Sequence, residues 1–170
     1  MEMSDLSINK LQTIIYNLGE EKSDRACAVL GFATLDALVE RVLRAWLHPN
    51  IPEELFEGSG ALSTSIAKID MAYSLGLISE NERRDLHLLR KIRNEFAHAF
   101  DHDLVFSTPA ISNRLSALSL PALLETNPAF RSSDPRYRFY LSVGILSTVL
   151  SDLRLRGATH RAIPDEIRAT

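Results

Sequence analysis

The chain has 170 residues, 45% of them hydrophobic and 24% charged, with a net charge of -3, the balance of one globular domain able to bury roughly 70% of its unfolded surface. That acidic balance argues against a dedicated nucleic-acid scaffold, whose footprint is a basic domain. A single cysteine, Cys27, excludes an intrachain disulfide and fits a reducing cytoplasm, while the N-terminus lacks signal-peptide order and no apolar run reaches the length of a membrane span.

Ser7 to Leu18 carries Leu11, Ile14, Ile15 and Leu18 at helical spacing, which predicts a short amphipathic helix. Ser23 or Asp24 can cap a second helix running to about His48, with Leu35, Leu38, Val39, Val42 and Trp46 on one face. Pro49 and Pro52 stop it, and Glu53 to Glu57 fits a single turn. The third helix is read from Leu62, Ile66, Ile69 and Tyr73, with Gly76 as a left-handed cap. Ser79-Glu80-Asn81-Glu82 spells a capping box that opens a fourth helix reaching about Phe100.

Beyond it, 101–105 reads as a turn. Ser107-Thr108-Pro109 opens a helix toward Ala117, and 121–133 reads as irregular. Asp134-Pro135 begins a last long helix with Phe139, Val143, Leu146, Leu150 and Leu153, its final turn holding Arg154 and Arg156. No segment has strand periodicity. The expected fold is all-α: a single-domain bundle of about six helices over 1–157, built around a core of helices two, three, four and last, with a flexible tail at 158–170.

The fourth helix carries the chemistry. Its apolar arc contains Leu88, Leu89, Ile92, Phe96 and Ala97, yet Arg93 and Asp85 fall inside the same arc. A charge in a core arc must be paired or face a cleft, because burying it alone is prohibitive. Two readings of Arg93 stand open: a phosphate-binding group, or half of a structural ion pair in which Arg93 or Arg90 meets Asp36 or Glu40 of the second helix. Beside the arc runs a polar ridge of Arg83, His87 and Arg90, a candidate binding surface, continued by Asn94 and His98. His98 and His102, with Asp101 and Asp103 nearby, read as a polar helix end. No metal and no cofactor is expected.

Arg93-Asn94-Glu95-Phe96-Ala97-His98 resembles the Arg-Asn-x-x-x-His signature of the HEPN superfamily (higher eukaryotes and prokaryotes nucleotide-binding domains). Its members are helical bundles, many of them metal-independent RNases with the site at a dimer interface. The resemblance implies that Arg93 stabilises charge developing on phosphate. It implies His98 as general acid or base, oriented by Asn94. Helical phase sets His98 about 140° from Arg93, so one subunit cannot easily aim both at the same phosphate.

A longer resemblance covers about residues 23 to 105. The run Gly58-Ser59-Gly60-Ala61-Leu62-Ser63, the helix ending Tyr73-Ser74-Leu75-Gly76-Leu77-Ile78 and the second-helix run Gly31 to Glu40 are similar to the mannitol operon repressor (MltR) family. Ala61 stands where that family has a proline. This resemblance implies an all-helical, dimeric transcription regulator that acts through a protein partner. Direct DNA binding is not expected, because the helix after Gly76 begins with Glu80 and Glu82, acidic where a reading helix would meet phosphates. RNA enters as a partner only under the RNase alternative.

Overall fold

The computed structural model describes residues 8–99, 104–124 and 132–160, and among them every regular element is helical. The α-helices are α1 (Ile8–Glu20), α2 (Asp24–Trp46), α3 (Ser65–Ser74), α4 (Glu80–His98), α5 (Pro109–Ser116), α6 (Ser119–Leu124) and α7 (Pro135–His160), with a 3-10 turn at Glu53–Leu55. None of these helices is long and apolar enough to cross a membrane.

Helix α2 is the hub. Ser23 caps it by accepting from the Ala26 amide at 3.2 Å, and Phe32, Leu35, Leu38, Val39, Val42 and Leu43 are all buried. Each fully buried side chain of this size contributes roughly 1.5–3 kcal/mol. Helix α7 packs along α2, α4 and α3 pack on its other sides, and α1 crosses α7 and α2. Gly31 permits the α2–α7 approach: a Cβ there would sit 2.9 Å from the Phe139 ring. Phe96 meets Phe106 edge-to-face and Phe106 meets Phe139 at a tilt, with centroids 5.0 and 4.9 Å apart, tying α4, the 104–108 loop and α7 together. In the core expected from helices two, three, four and last, α2 and α7 pack against each other most extensively, and α3 packs chiefly against α2 and α4.

Two local expectations are corrected. In α3 the buried face is Lys68, Ile69 and Ala72, while Ile66 and Tyr73 are exposed. The helix starts only after Thr64, whose side chain accepts from the Ala67 amide. Leu62 is thus buried from the preceding turn and does not set the helical phase. The second correction is α6, which occupies part of the stretch read as irregular. Its start is held by Asp85 of α4, a tertiary contact that local propensity does not encode.

The capping box at Ser79 and Glu82 forms, with Ser79 N donating to Glu82 Oε2 at 2.6 Å and Glu82 N to Ser79 Oγ at 3.3 Å. Gly76 has φ +69°, and the Gly76 and Leu77 amides donate to the Tyr73 and Ala72 carbonyls, closing α3 as expected. Helix α7 runs to His160, into the stretch expected as a tail from 158; residues 161–170 lie outside the described residues, as do Phe100 to Asp103.

Candidate functional site

Between α2 and α4 lies a cleft of about 380 Å³, lined by Val29, Ala33, Asp36, Ala37, Glu40, Arg93 and Ala97. Helical spacing builds it. Ala33 and Ala37 share the outer side of α2 with Asp36 and Glu40 at its edge, and Arg93 and Ala97 sit one turn apart on α4. Ala33, Ala37 and Ala97 are exposed, while Asp36, Glu40 and Arg93 are half-buried.

The Asp36 and Glu40 carboxylates take a partner that sequence reading missed. Lys68 of α3, only 4% exposed, donates to Asp36 Oδ2 at 2.7 Å and to Glu40 Oε2 at 3.2 Å. Glu40 Oε1 receives Arg44 Nε at 2.9 Å, and Arg44 continues to Glu53. The ion pair expected from Arg93 or Arg90 to these carboxylates does not form among the described residues. A lysine already fills the interior side of the pair, and Arg93 instead rests its guanidinium on the Phe32 ring, 5.3 Å from the centroid. Arg90 Nε is buried with no hydrogen-bond partner among the described residues. The missed signal was the phase of α3, since reading Ile66 and Tyr73 as its core face turned Lys68 outward.

The Arg-Asn-x-x-x-His residues are not gathered in one place. Arg93 lines the cleft, while Asn94, half-buried, and His98, exposed at the end of α4, lie outside its lining. The ridge divides as well. Arg83 Nε and His87 Nε2 both reach Asp70 Oδ1 of α3, at 2.7 and 3.0 Å, and Arg83 lies over the Tyr73 ring. These two residues clasp α3 to α4. Asp101, His102 and Asp103 fall outside the described residues.

Burial opposes ionisation of Asp70, but the hydrogen bonds from His87 and Arg83 outweigh it and hold its pKa below the usual carboxylate range. A depressed folded-state pKa contributes stability that is complete above the unfolded value of about 3.9 and is lost as pH falls through the folded value. Asp70 is 40% exposed, so the contribution is less than about 1 kcal/mol. Asp70→Asn should therefore lower stability slightly at neutral pH, and the gap from wild type should close in acid. Denaturant midpoints measured from pH 7 downward check this; a gap that widens in acid would refute it.

Fold and cleft define a class: an all-α bundle with a mixed-charge hollow on its central helix. No family model and no curated sequence matches the chain. A chain in the X-ray structure of the MtlR-HPr complex from Escherichia coli has a similar fold. It is 20% identical, the match covers 82% of this chain and 97% of that one, and the TM-score is 0.63. The shared architecture is MltR-like; no such match stands behind the HEPN-type motif.

Proposed function

We propose that this chain is a cytoplasmic, dimeric transcription regulator of the mannitol-repressor type that acts by docking on a protein partner and does not itself read DNA. The observation that carries the reading is the fold shared with a chain of the MtlR-HPr complex. The start of α4 supports it: Glu80 and Glu82 occupy the first turn, and Glu82 is committed to the capping box, so a phosphate backbone would meet carboxylates there. By analogy with that complex, the partner is an HPr-like protein.

Titration of the purified chain with HPr by calorimetry is the test. A saturable isotherm with a Kd on the order of 10 μM or tighter is expected. No heat and no co-elution at a hundred-fold higher concentration would end the reading.

The RNase alternative has one observation in its favour, the exposure of His98, and one against it. Arg93 shares its cleft with Asp36 and Glu40, which would repel a phosphodiester. The expected result in EDTA is equal inactivity of wild type and His98→Ala on single-stranded and structured RNA. Cleavage by wild type that the variant loses would replace the regulator with a metal-independent RNase.

A further inference from the structure

Helix α3 packs on α2 and α4 through Lys68, Ile69 and Ala72 and leaves its other side uncovered among the described residues. On that outward side Ile66, Met71 and Tyr73, with the cap residue Leu75, are between 36% and 45% exposed. Helical phase sets Ile66 and Tyr73 along one edge of the face and Met71 and Leu75 along the other. The helix offers no free charge between them. Of its two charged residues, Lys68 is buried against Asp36 and Glu40, and Asp70 is held by Arg83 and His87. Single exposed apolar side chains carry no meaning, but several grouped on one face with the charges withdrawn mark a contact surface.

Both ends of this face are acidic. The Leu62 amide donates to the Leu55 carbonyl at 2.8 Å, which holds the 3-10 turn and its neighbours Glu54 and Glu57 beside the chain that enters α3. At the other end the Gly76 turn leads straight to Glu80, the first residue of α4. These three glutamates are exposed, and none is in an ion pair among the described residues. Arg84, one turn from Glu80, gives its guanidinium to the Ala117 carbonyl instead.

We propose that the outward face of α3 is the docking surface for the protein partner, and that the partner meets it with an apolar patch bordered by lysine or arginine side chains. The inference rests on the reading of this chain as a regulator that docks on a protein, and it adds the face and the chemistry of what covers it. Charge selects the occupant. A second copy of this chain would set Glu54, Glu57 and Glu80 against the same glutamates, and like charges across an interface oppose association. A basic rim on the partner neutralises both ends while the apolar centre is removed from water.

The test is calorimetric titration with HPr of the wild type and of three variants, each first checked for an unchanged urea midpoint. Ile66→Lys with Leu75→Lys removes the apolar centre, and Glu54→Lys with Glu57→Lys and Glu80→Lys reverses the rim. Each should bind HPr at least about tenfold more weakly. The control is Leu30→Lys, at a residue 53% exposed on α2, which should bind as wild type does. Wild-type affinity in either of the first two variants overturns the α3 face and leaves the regulator reading standing. An equal loss in Leu30→Lys also overturns it, because the effect is then not confined to α3. Failure of the wild type itself to bind HPr ends the regulator reading and the docking face together.

Discussion

Asp85→Ala is expected to cost about 3–5 kcal/mol, a large part of the 5–15 kcal/mol that holds a typical domain together. Asp85 has no exposed surface, and its carboxylate is the N-terminal anchor of α6. Ser119 N donates to Oδ1 at 2.9 Å and to Oδ2 at 3.0 Å, Ser119 Oγ to Oδ1 at 2.9 Å, and Leu120 N to Oδ2 at 2.9 Å. Hydrogen bonds to a charged acceptor contribute about 1.5–3 kcal/mol each. Deleting the carboxylate also strands the Ser119 and Leu120 amides, which the first turn of a helix cannot satisfy internally. Asp85→Asn keeps one acceptor but turns an NH2 group toward donors, so it should recover part of the loss. Urea unfolding of the three proteins decides the matter. A change below about 1 kcal/mol for the alanine variant would show that water replaces the carboxylate at no cost.

Lys68→Ala should cost about 3 kcal/mol, because it leaves Asp36 and Glu40 one helical turn apart as like charges beside a void. The two carboxylates are 28% and 24% exposed, so water relieves part of the penalty, and the loss falls at the lower end for a broken buried pair. The informative comparison is Lys68→Met alone against Lys68→Met with Asp36→Asn and Glu40→Gln. Removing the negative charges along with the positive one should restore much of the stability, since the cost lies mainly in the uncompensated carboxylates. If the triple variant were no more stable than the single one, the packing of the lysine stem would outweigh its charge.

These two residues mark the limit of sequence reading. Asp85 was legible as an anomaly, a charge in an apolar arc, and the requirement that it be paired follows from desolvation alone. Its partner was not legible. The partner is a pair of backbone amides more than thirty positions away, at Ser119 and Leu120, between the helix expected to end near Ala117 and the stretch from 121 that reads as irregular. Lys68 was not legible at all. Ten residues of α3 hold enough apolar positions to support two helical phases, and the choice between them depends on which side faces α2. Arg93, a charge in the apolar arc, lines a cleft, and the carboxylates that the sequence offers it are held by the lysine.

The all-α class, the capping box at Ser79, the left-handed Gly76, the proline-led start of α5 and the apolar stripe of α2 follow from the chain by itself, because each rests on contacts within four or five residues. Only the tertiary structure decided that α2 is the hub, that Lys68 is buried, that Asp85 holds α6, and that Asp36 and Arg93 line one cleft without pairing. Those outcomes are set by the long-range competition of several charged groups for a few interior places, and the winner is whichever geometry leaves the least charge unsatisfied.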